Sequence, residues 1–264
     1  MVSLFLFQTS TLLHRLPSIH RLDEQNIEIE AILFYESNEG QIRMFVSIII
    51  PIKDEPAIQV LIDEINNEIK QNHEIIIVDK SKVTPDIQDA RIISQKSDGL
   101  GNAFVEGLSK SKGDVIVLMD GDGSHRPVDL NALLSKLEEY DIALGSKLIK
   151  GGRTQDTISR KAITIAFSLL TRFILWIDIK DPMTGFMAAK KSVFTDLQLK
   201  PRGFKIVIEI VYKSKARVIE VPILFQRRLM GSSKAGFNSN GLEEVFSIIR
   251  VIFGLKLGRL LGYW

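Results

Sequence analysis

The feature that most constrains the fold is a repeated alternation of apolar runs and amphipathic segments, which begins at residue 46. The runs Val46–Ile50 and Glu74–Val78 are rich in β-branched residues, which is typical of strands buried on both faces of a parallel sheet. We expect Pro51 to end the first strand. Between the two runs, Pro56–Lys70 carries apolar residues at helical spacing. This order predicts an α/β fold, with a mostly parallel central sheet and helices on both faces.

The same alternation continues along the chain. The pattern predicts a strand at Arg91–Ser94, a helix at Gly99–Ser111, a strand at Asp114–Met119, a helix at Pro127–Glu139 and a strand at Asp141–Leu148. A chain of 264 residues is long enough for one such domain with a full hydrophobic core.

Composition narrows the possible partners. The chain has no cysteine, which excludes disulfides and thiolate metal sites. Residues 201–264 hold eleven Lys and Arg against four Asp and Glu, a local excess of seven positive charges. Such a segment suits an anionic partner, although a solvated basic face would have the same composition. We expect no nucleic-acid partner, because the basic segment lacks interleaved aromatic residues and any recognisable nucleic-acid-binding module.

Residues 1–43 differ from the rest of the chain. They are richer in acids than in bases and carry no chemical motif, so we interpret them as an N-terminal extension of unknown role. Met44, just before the first strong strand, is a candidate natural start. The alternative is an added strand or hairpin at Glu28–Tyr35, whose residues are strand-like.

Two aspartates, Asp120 and Asp122, directly follow a predicted buried strand. Ligands of parallel sheets bind outside the carboxyl ends of the strands, and paired carboxylates there can share one Mg²⁺ or Mn²⁺ with substrate phosphates. Gly121 and Gly123 would let the backbone turn sharply and approach a diphosphate, while Ser124 and His125 could add a ligand or an orienting hydrogen bond. The alternative is an Asp-rich turn that caps the next helix.

Polar clusters follow the other strands as well. Pro51–Glu55 and Asp79–Ser81 lie at strand ends that should meet the aspartate pair at one edge of the sheet. Gly99-Leu-Gly101-Asn102 marks a loop-to-helix transition suited to a nucleotide or sugar, or simply a capped helix.

Motifs later in the chain make the combination of segments characteristic of one protein family. Together the segments resemble the inverting family-2 glycosyltransferases with the GT-A fold, and specifically their dolichol-phosphate mannose synthase branch. The likeness covers about residues 46–250, and the matching segments are VSIIIPIKDE (46–55), EIIIVDKS (74–81), GLGNA (99–103), GDVIVLMDGDGSH (113–125), ALGSKLIKGG (143–152), IKDPMTGFMAAKK (179–191), GFKIVIEI (203–210) and EVPILFQRRLMGSSKAG (220–236).

The resemblance implies site residues, which we group by role. The metal ligands would be Asp120, Asp122 and Ser124. The nucleotide-sugar would contact Pro51, Asp54, Glu55, Asp79, Gly101, Asp120, Gly121, Asp122 and Lys147. The acceptor phosphate would contact Lys147, Arg160, Arg228, Ser233 and Lys234, and the catalytic residues would be Asp122, Asp181 and Arg228.

The resemblance also implies an activity. The expected reaction is inverting transfer of a hexose, foremost mannose from GDP-mannose, to a polyprenyl or dolichyl phosphate with Mg²⁺ or Mn²⁺. The alternatives are a lipid-phosphate glucosyltransferase that uses UDP-glucose and an inactive membrane-associated relative. The expected setting is peripheral, at the cytoplasmic face of a membrane, with a membrane-anchoring subunit as a candidate partner. The transferase domain would span residues 44–238, followed by a membrane-proximal amphipathic helix at 239–264.

Three positions depart from the family pattern. Lys80 stands where consecutive acids are usual, Lys147 where an arginine is usual, and Ser124 where a glutamine is often found. Lysine keeps the positive charge at position 147 but loses the bidentate fork of arginine.

Two apolar stretches bear on membrane contact. Ile158–Ile179 could lie at a membrane interface or form a core helix, and Leu242–Trp264 resembles an interfacial helix. Basic residues interrupt the longest apolar runs, Ala162–Ile179 and Val245–Trp264, so we expect neither of them to span a bilayer.

Overall fold

The structure, a computed structural model, describes residues 44–201, 205–228 and 239–262. The strands are β1 (Val46–Ile52), β2 (His73–Asp79), β3 (Arg91–Ser94), β4 (Val115–Leu118), β5 (Ile142–Ser146), β6 (Arg153–Thr154), β7 (Met187–Lys190), β8 (Val218–Pro222) and β9 (Leu224–Phe225). The α-helices are α1 (Ile58–Glu68), α2 (Leu100–Leu108), α3 (Val128–Ser135), α4 (Ile158–Leu175), α5 (Ile206–Lys213) and α6 (Ser239–Leu260). Short 3₁₀ turns follow α3 and β7, at Lys136–Glu138 and Lys191–Phe194.

In the described part of the chain, seven strands form the central sheet, in the order β3-β2-β1-β4-β7-β5-β8. All neighbouring pairs are parallel except those of β7, which runs antiparallel to both β4 and β5. β6 and β9 pair separately as a two-stranded parallel ribbon. The predicted α/β class and mostly parallel sheet are therefore confirmed.

The two faces of the sheet bury alternate residues of each central strand. In β1, Ile48 and Ile50 join a cluster with residues of α1 and α3, whereas Ile49 joins a cluster with Phe104 of α2 and Ile210 of α5. Successive strand side chains point to opposite faces, so an unbroken apolar strand must be covered on both. The apolar runs of the sequence therefore place helices on both faces.

The prediction that Pro51 ends the first strand was wrong. β1 continues to Ile52, and Pro51 pairs in register with Val78. The Ile49 carbonyl accepts a hydrogen bond from the N–H of Met119, just after β4. Residues two apart in a strand direct their backbone groups to the same side, so the backbone nitrogen of Pro51, which carries no hydrogen, also points towards β4. β4 pairs only as far as Ile49, so Pro51 removes no ladder hydrogen bond there.

β7 decides which later residues reach the carboxyl edge of the sheet. Because it is antiparallel, its first residue, Met187, pairs with Leu118 at the end of β4. The segment before β7 therefore lies beside the segment after β4. This arrangement brings Asp181–Phe186 to the loop that carries Asp120.

One face of α4 exposes apolar residues. The exposed fractions are 89% for Ile158, 56% for Leu169 and 79% for Phe173, while Ser168 and Thr171 are buried. The opposite face of the same helix contributes Leu175 to a buried cluster with residues of α5 and α6, so the stretch combines a core face with an exposed apolar one. Among the residues that the structure describes, no helix is long and apolar enough to cross a bilayer.

Candidate active site

The loop after β4 is folded around its second aspartate. Asp122 is buried, and its Oδ1 accepts a hydrogen bond from the Ser124 N–H at 2.9 Å. Gly123 has a φ of 74°, a left-handed conformation that favours glycine. Gly121 is needed for a different reason, since a Cβ there would lie 2.7 Å from Ile52 Cγ2. The loop thus turns at Gly123, and Gly121 packs against β1.

The turn before β7 abuts the first aspartate. A Cβ at Gly185 would lie 3.2 Å from Asp120 Oδ2, so glycine lets this turn lie close against the carboxylate. Thr184 fixes the turn by donating its hydroxyl to the Gly145 carbonyl at 2.6 Å. The structure therefore joins two motifs that are about sixty residues apart in the sequence.

Arg228 pairs directly with the second aspartate. Its Nε lies 2.8 Å from Asp122 Oδ2. Gln226 positions this segment, because its N–H donates to the Ser124 carbonyl at 3.0 Å and its Nε2 donates to the Gly123 carbonyl at 3.1 Å. The structure thus brings together two of the three predicted catalytic residues.

His125 packs between the acidic loop and two aromatic rings. Its Nδ1 accepts a hydrogen bond from the Asp120 N–H at 3.3 Å. Its ring stacks on Phe186 at 4.8 Å between centroids and meets the edge of Phe225 at 5.3 Å. Burial lowers the pKa of His125, against the opposing charge of Asp120, so the imidazole is neutral at neutral pH.

The first aspartate lies in a field of mixed charges. Burial raises the pKa of Asp120 above its ordinary value, with a smaller opposing influence from His125 and a further rise from Asp122. Lys205 and Arg228 act in the opposite direction. A carboxylate that is removed from water and placed beside a second one binds protons more readily, and it binds a divalent cation more readily for the same reason.

Asp181, the third predicted catalytic residue, is a buried carboxylate with a fixed orientation. Its Oδ2 accepts a hydrogen bond from the Lys147 N–H at 3.2 Å. The N–H groups of Lys180 and Asp181 donate to the Glu220 carboxylate at 2.7 and 2.8 Å. Burial raises the pKa of Asp181, although the charge of Lys147 opposes this. Within the described part of the chain, Asp181 Oδ1 has no hydrogen-bond partner, so one buried oxygen remains available.

Lys147, predicted to contact donor and acceptor phosphates, is held by a carboxylate. Its Nζ lies 2.8 Å from Asp156 Oδ2 and 3.9 Å from the centroid of the Phe225 ring. Both partners are largely buried, and Thr154 also donates to Asp156, at 2.9 Å. A phosphate that binds Lys147 must therefore share it with Asp156.

Arg160 lies in the first turn of α4, close to Asp156. Burial raises the pKa of Asp156, but the hydrogen bond and charge of Lys147, with smaller contributions from Thr154 and the charge of Arg160, bring it below its ordinary value. The helix start is capped by Thr157, whose hydroxyl accepts from the Arg160 N–H at 3.5 Å. Ser233 and Lys234, the other predicted acceptor contacts, lie outside the described residues.

The residues predicted to contact the nucleotide lie in the loops after β1 and β2, which hydrogen bonds join to each other. The Asp54 N–H donates to Ser81 Oγ at 2.7 Å, and Asp54 Oδ1 accepts from the Lys82 N–H at 3.0 Å. Asp54 has a φ of 53°. Asp79 is buried and accepts a hydrogen bond from the Ser81 N–H at 2.8 Å. Lys80 forms an ion pair with the exposed Asp98 at 3.2 Å.

The other predicted nucleotide contacts lie near these loops. Pro51 and Glu55 lie at and just after the end of β1, and Gly101 is buried in the first turn of α2.

The oxygen atoms at the acidic loop fit a hard divalent cation. Asp120 and Asp122 supply carboxylates, and Ser124 Oγ is buried without a hydrogen-bond partner in the described residues. The described residues contain no group of three or more His, Cys, Asp or Glu side chains suited to a metal. Two carboxylates suit Mg²⁺ or Mn²⁺, which commonly complete their coordination with water and substrate phosphates.

Sequence reasoning missed four residues of this site. They are Asp156, Lys205, Glu220 and Gln226, whose side chains hold or face the predicted residues. Each lies in or beside a segment that carries the family resemblance, but nothing in the local pattern distinguishes these residues from ordinary polar ones. Only the fold shows what they contact.

Comparison with known proteins places the chain in a family. Residues 47–198, more than half of the chain, match the family described as Glycosyl transferase family 2. A dolichol-phosphate mannosyltransferase of Pyrococcus furiosus is 35% identical over 80% of this chain and 64% of its own length. An undecaprenyl-phosphate mannosyltransferase of Micrococcus luteus is 32% identical over 58% of this chain and 67% of its own. The chain thus spans about two thirds of the length of these relatives.

Solved structures share the fold at lower identity. Glucosyl-3-phosphoglycerate synthase from Mycobacterium tuberculosis, in complex with Mn²⁺, uridine diphosphate and phosphoglyceric acid, superposes with a TM-score of 0.61 at 20% identity, over 85% of this chain and 80% of that one. Mannosyl-3-phosphoglycerate synthase from Rubrobacter xylanophilus gives 0.60 at 17% identity, over 82% and 75%. These comparisons confirm the resemblance seen in the sequence: the chain belongs to glycosyltransferase family 2 and has the GT-A fold.

Proposed function

We propose that this protein is an inverting glycosyltransferase that moves a mannosyl group from GDP-mannose to a polyprenyl phosphate. The observation that carries the proposal is the meeting of Asp120, Asp122, Asp181 and Arg228 at one edge of the sheet. Paired carboxylates beside an arginine suit a reaction in which one phosphate group leaves and another attacks. The names of the relatives, a dolichol-phosphate and an undecaprenyl-phosphate mannosyltransferase, support this choice of sugar and acceptor.

The donor diphosphate would bind at the acidic loop. Asp120, Asp122 and Ser124 would hold Mg²⁺ or Mn²⁺, which would supply positive charge to the departing nucleoside diphosphate. Lys205 adds a cation on the same side, and its Nζ donates to the Met183 carbonyl at 2.9 Å, which fixes its position. These preorganised charges would stabilise the negative charge that develops on the leaving group.

The acceptor end needs cations more than it needs a base. A lipid phosphate is already anionic at neutral pH, so deprotonation is unnecessary and positioning dominates the rate. Arg228, Lys147 and Arg160 would hold the phosphate in line with the anomeric carbon. The buried Asp181 would face the sugar with its unbonded Oδ1 and orient it by accepting a hydroxyl hydrogen bond.

The outer surface suits a membrane-bound acceptor. Phe173 and Trp176 at the end of α4, and Phe253 and Leu257 of α6, are each more than half exposed. Such apolar residues beside basic ones are typical of helices that lie in a membrane interface. We therefore propose peripheral attachment at the cytoplasmic face of a membrane, where residues 239–264 contribute an interfacial helix and a membrane-anchoring subunit is a candidate partner.

A transfer assay tests the proposed function. The purified protein is incubated with Mn²⁺, a short polyprenyl phosphate and either GDP-mannose or UDP-glucose, and the lipid product is separated and its anomeric configuration determined. We expect an inverted mannosyl lipid from GDP-mannose, and Asp122→Asn serves as the inactive control. A glucosyl lipid would replace the assigned donor, and the absence of a product with either donor would contradict the enzymatic proposal.

A further inference from the structure

A cavity between α4, α5 and α6 is separate from the candidate active site. It has a volume of about 300 Å³ and is lined by Leu175, Trp176, Tyr212, Lys256, Arg259 and Leu260. The active-site end of α4 is its first turn, near Lys147 and Asp156, whereas the cavity lies at its last turn. An 18-residue helix is about 27 Å long, so the two sites lie at opposite ends of α4.

The polar groups at this cavity suit an anion. Lys256 and Arg259 are one helical turn apart on α6 and therefore share a face. Lys256 Nζ lies 5.5 Å from the centroid of the Trp176 ring, and Arg259 Cζ lies 5.3 Å from that of Tyr212. The aromatic rings hold both cations at the cavity, and none of the described residues that line it is a carboxylate.

The Tyr212 hydroxyl gives an independent reason to expect a ligand. Tyr212 is 7% exposed, and its hydroxyl is buried without a hydrogen-bond partner among the residues described. A buried polar group without a partner is costly, and proteins rarely retain one unless something absent from the structure satisfies it. Because the hydroxyl itself is not exposed, a phosphate oxygen in the cavity would accept this hydrogen bond once the neighbouring side chains shift.

The surroundings of the cavity are apolar. The exposed fractions are 84% for Trp176, 72% for Leu260 and 57% for Leu261. Trp176 also has a φ of 56°, a left-handed conformation that is rare for a bulky residue. A free phosphate would leave this surface in water, whereas a membrane lipid would cover it with its acyl chains while its headgroup enters the cavity.

We propose that the cavity between α4, α5 and α6 binds the phosphate headgroup of an anionic membrane phospholipid through Lys256, Arg259 and Tyr212. This site is distinct from the one that would bind the acceptor phosphate. It makes attachment selective for anionic lipid and holds α4 at the membrane surface, with the active site at its other end.

Intrinsic fluorescence can test the site without a transfer assay. The chain has two tryptophans, so Trp264→Phe leaves Trp176 as the only reporter. We expect the Trp176 emission to shift to the blue with vesicles of equimolar phosphatidylcholine and phosphatidylglycerol, and to shift much less with phosphatidylcholine alone. A similar blue shift with both kinds of vesicle would contradict a headgroup site. A full blue shift on addition of inorganic phosphate without vesicles would contradict it as well.

Charge-matched variants separate a built site from general attraction. In the Trp264→Phe background, Lys256→Gln with Arg259→Gln should weaken binding to the anionic vesicles about 25-fold, since each cation near an anionic surface contributes about a fivefold change in affinity. The control pair Lys161→Gln with Arg250→Gln removes one exposed cation from α4 and one from α6, away from the cavity lining, and should have a clearly smaller effect. Equal losses in the two pairs would overturn the assigned residues.

Tyr212→Phe is the most specific variant, because it removes only the unpartnered hydroxyl. It should weaken anionic-vesicle binding severalfold and leave phosphatidylcholine binding unchanged. Without lipid the variant should be at least as thermally stable as the parent, because the substitution removes a buried hydroxyl that has no hydrogen-bond partner in the described residues. Parent-like binding to anionic vesicles would contradict the role of Tyr212. Because these readouts measure lipid binding, they can succeed or fail independently of glycosyl transfer.

Discussion

Replacing Arg228 with glutamine should tighten the binding of Mn²⁺ to the protein and yet slow glycosyl transfer. In the structure Arg228 Nε lies 2.8 Å from Asp122 Oδ2, so the guanidinium occupies part of the space around a predicted metal ligand. A cation that binds Asp122 must compete with this ion pair. The glutamine removes the competing charge but leaves both aspartates in place.

The size of the effect follows from the exposure of the pair. The Asp122 side chain is 11% exposed and that of Arg228 is 35% exposed. A hydrogen bond to a charged group contributes about 1.5–3 kcal/mol, and solvent around the more exposed partner reduces this to about 1 kcal/mol. The affinity for Mn²⁺ should therefore rise about fivefold.

A change in proton binding has to be separated from this effect. Arg228 helps to keep the pKa of Asp120 down, so its removal raises that pKa further and lets protons compete with Mn²⁺. The gain in affinity should therefore grow as the pH rises, because fewer protons then compete with Mn²⁺ for Asp120. Titration calorimetry without donor or acceptor gives the metal affinity, and the transfer assay gives the rate.

Arg227→Gln is the matched control, because it removes the same charge one residue away. Among the described residues Arg228 forms an ion pair with Asp122, whereas Arg227 does not. It should leave the affinity for Mn²⁺ within about twofold of the parent. The reasoning would be refuted if Arg228→Gln bound Mn²⁺ no more tightly than Arg227→Gln, or if transfer by Arg228→Gln were unimpaired.

Three further predictions follow from other contacts. Asp122→Ala should lower the transfer rate by about a thousandfold or more while the circular dichroism spectrum stays that of the parent; near-parental turnover with Mn²⁺ would contradict the metal assignment. Gly145→Ala should destabilise the fold by about 1–3 kcal/mol in urea titration, because the new Cβ would lie 2.6 Å from Phe186 Cδ1, and parental stability would show that the strand adjusts freely. Asp141→Asn should lower stability by about 1 kcal/mol at neutral pH, because hydrogen bonds from Arg217 hold the pKa of Asp141 well below its usual range. A depressed pKa stabilises the fold above the unfolded pKa of about 4, so the difference should shrink as the pH falls below that value, and a difference that stayed constant with pH would contradict this linkage.

The sequence by itself determined the sheet and the place of the acidic loop. Unbroken β-branched runs at Val46–Ile50 and Glu74–Val78 can be satisfied only by strands covered on both faces, and this requirement is local. The position of Asp120 and Asp122 follows from it, because residues that come directly after a parallel strand must lie at its carboxyl edge. Strand lengths were less certain, as Pro51 shows, because they depend on how far the neighbouring strand extends.

Only the tertiary structure decided which distant groups meet at that edge. The antiparallel insertion of β7 places Gly185 against Asp120, and the Arg228–Asp122 pair joins residues more than a hundred positions apart. The tertiary structure also decided that α4 exposes an apolar face. Periodicity shows that a helix has two faces, but which of them is buried depends on the element packed against it, and that choice is made by the free energy of the whole fold.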